Sequence, residues 1–228
     1  MKKFLFLTLA LASCMALSAK KIVKTIHVTP DNATIYVNGN EVGSGSYTIT
    51  FDKHTDFVML KFKAPGYMTR TVRLQKDNPK ETIAYKLYED EAMKESVGGS
   101  EGADMANKWM QIVCKKGMTE DKIWRRLMSV AVDNFETVEV RDKAAGWIKT
   151  AWKKTTFSSG QCVRTRLEVR IVNGGEDEEL SYKVRLSSEI NEDLSKCGGE
   201  ECYVKYARVL RKYYDVLTDL QNSLGTSN

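Results

Sequence analysis

The sequence predicts a mixed β and α+β chain: a small all-β sandwich tethered to an α+β domain whose antiparallel sheet carries helices on one face. Three observations predict it. Residues 22–88 alternate apolar and polar side chains at strand period between turn signals, and no helix-period stretch interrupts them. Residues 133–188 read as four strands that follow a helix. Between these bodies, residues 89–106 form an acidic, glycine-containing linker: residues 20–88 carry 11 Lys/Arg against 6 Asp/Glu, whereas residues 89–105 carry 1 against 6. With 228 residues, 42% of them hydrophobic, the chain can bury one large core or two modest ones.

Residues 1–19 are expected to be a signal peptide, with a positive start at Lys2 and Lys3, an apolar run from Phe4 to Ala12 and small residues beyond. Two processing sites compete. Leu11-Ala12-Ser13-Cys14 resembles the lipobox of bacterial lipoproteins, which would place a diacylglycerol on the Cys14 sulfur and hold the protein at a membrane, the outer membrane of the cell envelope. Three acyl chains anchor stably, since each buried CH₂ contributes about 0.8 kcal/mol. Ala16-Leu17-Ser18 instead suits ordinary cleavage near residues 18–19, giving a periplasmic or secreted protein. Removing Lys2 and Lys3 takes the net charge from +5 to +3, too mild to argue for nucleic acid.

Four cysteines lie beyond Cys14, an even number in an oxidising compartment. Cys197 and Cys202 could close a small loop across Gly198-Gly199, and Cys114 and Cys162 could then join two strands. The other two pairings, and buried free thiols, stay open. The only histidines, His27 and His54, are far from these cysteines, so no zinc site is expected and no cofactor is implied.

In the first body, an extended run over Ile22–Val28 is followed by Ala33–Val37, and Asn38-Gly39 is a hairpin signal. Residues 41–45 read as a loop into Tyr47–Phe51. Phe57–Ala64 places Val58, Leu60 and Phe62 on one face, Pro65-Gly66 suits a type II turn, and Met68–Leu74 and Thr82–Tyr88 complete six or seven strands. Ala33-Thr34-Ile35-Tyr36-Val37-Asn38-Gly39 and Lys63-Ala64-Pro65-Gly66-Tyr67 resemble the PEGA domain, a small β-sandwich of bacterial surface proteins. Ser44-Gly45-Ser46 departs from that pattern, which usually has Thr-Pro after the mid-domain glycine. The resemblance covers about 65 residues and implies a non-catalytic surface or adhesion module. Tyr36 and Tyr67 are the candidate glycan contacts, against the alternative that Tyr67 simply packs at the end of its hairpin.

The second body, residues 107–228, opens with a strand near Trp109–Lys115. Thr119 is a helix N-cap followed by Glu120 and Asp121, and Ile123, Leu127, Val130 and Ala131 recur at helical spacing, so a helix is expected over 120–134. Val138 and Val140 start the sheet, residues 143–146 turn it, and Trp147–Trp152 returns. Thr165, Leu167, Val169 and Ile171 alternate with Arg164, Arg166, Glu168 and Arg170; Tyr182, Val184 and Leu186 alternate with Lys183 and Arg185; and Asn173-Gly174-Gly175 joins the two strands. Tyr203, Leu210, Leu217 and Leu224, seven apart, predict a final helix over 201–223 that either packs on the sheet or forms a coiled coil. Residues 140–150 resemble the helix-grip domains of envelope lipoproteins, where a helix runs into a strand, an Asp-x-x-x-Gly turn and a returning strand. That likeness implies an envelope scaffold.

No nucleophile elbow, zinc-protease motif or phosphate loop occurs, and no histidine follows residue 54, so the reading is of a non-enzymatic protein. Paired carboxylates remain possible in principle, and Asp142 and Glu168 could approach across the sheet, although Asp142 stands where a turn favours aspartate. The candidate partner-binding face is Arg164, Arg166, Arg170, Lys183 and Arg185, which suits carboxylate or phosphate groups, against the alternative of a solvated charged face. The expected partner is an envelope protein, with cell-wall glycan as the alternative. The oligomeric state is not legible.

Overall fold

The computed structural model describes residues 21–98, 105–173 and 179–226, and divides at Leu87/Tyr88 into two compact units. The expected signal peptide with Cys14, the middle of the expected tether and the expected Asn173-Gly174-Gly175 turn from residue 174 onward lie outside the described residues. The fold is the predicted mixture of β and α+β.

Unit one holds seven strands: β1 (Ile22–Thr29), β2 (Thr34–Val37), β3 (Asn40–Ser44), β4 (Ser46–Phe51), β5 (Phe57–Lys63), β6 (Arg70–Gln75) and β7 (Thr82–Lys86). They make two sheets, ordered β4-β1-β7 and β3-β2-β5-β6. All pairs are antiparallel except β1 with β7. Alternation fixes which side is core: Ile26, Val28, Ile35, Leu60, Phe62 and Leu74 are buried, and their neighbours face out. Asn38 and Gly39 both take positive φ, 49° and 90°, as a type I′ turn requires. The stretch read as a loop over 41–45 is instead strand β3, paired with β2, because that turn returns the chain directly along its partner.

Unit two begins with α1 (Glu91–Lys94) and β8 (Ser96–Val97). This corrects the reading of residues 89–106 as a linker throughout. The Asp90 carboxylate caps α1 by accepting from Met93 N–H, Glu91 accepts from the Ser158 hydroxyl and Ser159 N–H, and Ala92 and Ser96 are fully buried. Two of the acidic residues that suggest a solvated tether, Asp90 and Glu91, are hydrogen-bond acceptors within the folded unit.

The remaining elements are β9 (Met110–Val113), α2 (Glu120–Phe135), β10 (Val138–Asp142), β11 (Trp147–Thr150), β12 (Lys153–Thr156), β13 (Cys162–Asn173), β14 (Ser181–Asn191), β15 (Val204–Lys205), β16 (Val209–Leu210) and α3 (Tyr214–Leu224). Thr119 caps α2 as expected, its hydroxyl accepting Lys122 N–H at 3.4 Å. Helices α2 and α3 bury Leu127, Ala131, Leu217 and Leu220 in one core with Leu167, Val169, Val184 and Leu186 of the sheet. The final helix is shorter than expected. Cys197 and Cys202 are joined in a disulfide around a 3₁₀ turn, Val204-Lys205 then pairs with β14, and Val209-Leu210 pairs with β8. Only the second half of the heptad stripe is helical, and it packs on its own sheet.

The long β13–β14 hairpin is the spine. β11 and β12 share the outer edge of β13, while β9 and β15 share that of β14. Both edges are therefore interrupted near the middle.

Candidate functional site

The face of the second sheet away from the helices is set by register. Across β13 and β14, Arg164 stands opposite Glu189, Arg166 opposite Ser187, Glu168 opposite Arg185, and Arg170 opposite Lys183. The edges extend these rows: Trp147 beside Arg170, Lys149 beside Glu168, Lys154 beside Arg164, Gln111 beside Lys183 and Lys205 beside Glu189. The five basic residues expected on one face are therefore brought together.

They are not equivalent. Arg164 is only 7% exposed: its Nε and Nη2 meet Glu189 Oε2 at 2.7 and 2.6 Å, and Nη1 pairs with Glu200. Its guanidinium lies 4.0 Å from the Tyr203 ring centroid and 4.6 Å from that of Trp152. Burial opposes its charge, but the two carboxylates outweigh burial and raise its pKa. Arg164 is thus an internal strut, which corrects its assignment to a partner-binding face.

Glu168 is 4% exposed and accepts Arg185 Nε at 2.9 Å, Arg185 Nη2, and the Ser187 hydroxyl at 3.1 Å. Burial alone would push its carboxyl up; the hydrogen bond and charge of Arg185, with Arg166 and Ser187, hold it below the usual carboxylate range. Arg185 also stacks on Trp109 at 4.3 Å. Asp142 does not join Glu168 as a carboxylate pair: it accepts Ala145 N–H at 2.9 Å within the turn.

Arg170 and Lys183 are exposed and carry no ion pair among the described residues. Arg170 lies 5.3 Å from the Trp147 ring and 5.8 Å from that of Trp109. Arg166 rests 4.2 Å from the Trp152 ring. Among the described residues its one ion-pair contact is with Glu168 Oε1, 3.8 Å from Nη2, and its Nε is buried with no hydrogen-bond partner. Arginine stacked on indole gains about 0.5–1 kcal/mol when exposed and about 2 when desolvated, so these tryptophans hold the guanidinia in place.

The Arg166–Ser187 row lies where both sheet edges break, and side chains replace the missing strands there. The Thr150 hydroxyl accepts Leu167 N–H at 2.9 Å. Asn107, at φ 61°, accepts Ser188 N–H through Oδ1 and donates through Nδ2 to the carbonyls of Ser188 and Tyr206. The gap leaves a cleft of about 180 Å³, bordered by Trp152, Arg166, Arg185, Ser187, Glu189 and Lys205.

The other expected residues are dispersed. Tyr36 lies on the outer face of unit one with Lys63 Nζ 5.8 Å from its ring centroid, while Tyr67 packs against the unit's core. Cys114 and Cys162 are buried free thiols and not a disulfide. Burial pushes the Cys114 thiol up to about 11, and the Cys162 sulfur accepts from the Tyr203 hydroxyl at 3.2 Å. Missed by sequence reasoning were Trp109, Trp147, Trp152, Tyr203 and Lys205, whose place depends on cross-strand register. Cys197, Glu201 and Cys202 lie within 4.8 Å of one another, but the two sulfurs are bonded to each other.

No family model matches the chain, and no curated protein matches its sequence. Among solved structures, a Bacteroides fragilis protein of unknown function, provisionally described as membrane-associated, is 8% identical over 75% of this chain and 96% of its own, with a TM-score of 0.26. A likeness at that score carries no argument.

Proposed function

We propose that this chain is an exported, non-enzymatic component of the bacterial cell envelope, lipid-anchored through Cys14, that binds an acidic protein partner through the arginine–tryptophan face of its second unit. The observation that carries the reading is the unbalanced charge of that face. Arg170 and Lys183 project without ion pairs among the described residues, Arg170 beside Trp147 and Trp109, while the neighbouring guanidinia of Arg185 and Arg166 lie over Trp109 and Trp152. Rigid arginines flanked by aromatics are the composition of interface centres, where less side-chain entropy is lost on docking. The lipobox-like Leu11-Ala12-Ser13-Cys14 supports the envelope setting.

The test is cross-linking of the full-length protein in its own cells, comparing the natural chain with Arg170→Glu/Lys183→Glu. Both side chains are exposed, and Arg170→Glu gives up its indole contacts, so stability is expected to fall by no more than about 1 kcal/mol. Recovery of the cross-linked partner should fall at least tenfold. Undiminished recovery would sink the reading of this face. Labelling with an alkyne fatty acid, present in the natural chain and lost in Cys14→Ser, checks the anchor.

A further inference from the structure

The cleft at the Arg166–Ser187 row has chemistry of its own. Its donors are unequally used. Arg185 commits Nε and Nη2 to Glu168, Ser187 donates to the same carboxylate, and Glu189 is held by Arg164. Among the described residues Arg166 is the one guanidinium of the cleft with no acceptor within hydrogen-bond distance: its Nε is buried without a partner, and its ion-pair contact, Glu168 Oε1, is 3.8 Å away. The Nε is itself closed off, but the side chain is 21% exposed, so the terminal nitrogens of this guanidinium remain for an incoming acceptor. The guanidinium carbon lies 4.2 Å from the centroid of the Trp152 ring, which gives it a platform.

Charge narrows the choice of acceptor. Four cations, of Arg164, Arg166, Arg185 and Lys154, share this network of ion pairs with three carboxylates, of Glu168, Glu189 and Glu200. One positive charge is unneutralised, and Lys205 adds a second, exposed one at the rim. Glu189 on the cleft border disfavours a high negative charge, so a singly charged group is the better match. Two parallel N–H donors match the two oxygens of a carboxylate. Size narrows it further: about 180 Å³ is below the ~300–1,000 Å³ of small-molecule pockets, and suits one inserted side chain.

We infer that this cleft is a carboxylate-recognition subsite that receives an Asp or Glu side chain of a protein partner, with Arg166 as the fork, Lys205 as the rim charge and Trp152 as the platform. The inference rests on the function proposed above and names the chemistry of its contact.

The experiment titrates the full-length protein, labelled with ¹⁵N at its tryptophan indoles, with acetyl-glutamate amide, acetyl-glutamine amide and inorganic phosphate. The Trp152 resonance is assigned by its loss in Trp152→Phe. The glutamate compound should shift it saturably, the glutamine compound should not, and phosphate should bind at least tenfold more weakly. Arg166→Gln should weaken glutamate binding at least tenfold and Lys205→Ala about threefold. Arg166→Lys, which keeps the charge and a side chain of similar length, guards against misfolding and should still weaken it at least fivefold.

Equal binding of the glutamine compound, phosphate binding as tight as that of glutamate, or full affinity in Arg166→Lys would each overturn the inference. If the glutamate compound fails to bind while Arg170→Glu/Lys183→Glu still releases the envelope partner, the subsite falls and the proposed function stands. If it binds as expected while that double variant keeps its partner, the assignment of the face fails and the carboxylate site remains.

Discussion

Replacing Arg185 with methionine tests whether the buried Glu168 carboxylate depends on its partner. Glu168 is 4% exposed and takes two of its three hydrogen bonds from the Arg185 guanidinium. Arg185→Met would leave it with the Ser187 hydroxyl and with Arg166 at 3.8 Å. Removing one member of a buried ion pair costs about 3–5 kcal/mol, because the survivor remains desolvated. Arg166 offsets part of that, so the expected loss is about 3 kcal/mol at pH 7. All four tryptophans, Trp109, Trp124, Trp147 and Trp152, lie in the second unit, so urea unfolding followed by their fluorescence reports on that unit. With a slope of about 2–3 kcal/mol/M, the midpoint should fall by about 1–1.5 M. Glu168→Gln combined with Arg185→Met should recover most of the loss.

The pH dependence has a definite sign. In the natural chain the folded-state pKa of Glu168 is depressed below its unfolded value of about 4.3. The pair's contribution is therefore complete above about pH 5 and is lost as pH falls through the folded pKa. Without Arg185, burial raises the Glu168 pKa, and protonation then relieves the variant as pH falls. The gap between natural chain and variant should shrink from pH 7 to pH 4. A loss below about 1 kcal/mol at pH 7, or a gap independent of pH, would refute the argument.

Gly146 sits at φ 59°, where an added Cβ would collide with the Ile171 side chain, so Gly146→Ala should destabilise the second unit by about 2–3 kcal/mol in the same urea assay. Thr119→Ala removes the cap of α2 and should cost about 1 kcal/mol, with Thr119→Ser restoring most of it. The thiols of Cys114 and Cys162 are buried, and burial raises the first to about 11. Alkylation at pH 8 without reductant should therefore spare both in the folded protein and modify both in urea; mass spectrometry of the peptides reads this directly, with Cys197–Cys202 recovered as a linked pair.

Elements whose signals are local were legible in the sequence. The Thr119 cap and the spacing of Ile123, Leu127 and Val130 specify α2 within a residue of where it stands. Asn38-Gly39 marks its hairpin because both residues tolerate positive φ. Elements that depend on distant partners were misread. Tyr203, Leu210 and Leu217 are seven apart as a long helix requires, yet Val204-Lys205 is captured by the edge of β14 and Leu210 pairs with Ser96, so pairing overrides periodicity. Asp90 and Glu91 look like part of a solvated tether because nothing nearby in sequence shows that a backbone N–H and two serines need their oxygens.

The same division holds at the site. The alternation Arg164, Arg166, Glu168, Arg170 by itself determines that these side chains share one face, because successive residues of a strand point to opposite sides. What each one does was decided only by the tertiary structure. Register sets Glu189 against Arg164 and Arg185 against Glu168, and the interrupted edges bring Trp152 and Lys205 to Arg166. A period of two fixes direction along one strand, whereas neutralising a charge needs a partner a few ångströms away, and those of Arg164 and Arg185 come from residues 17 to 36 positions distant in the chain.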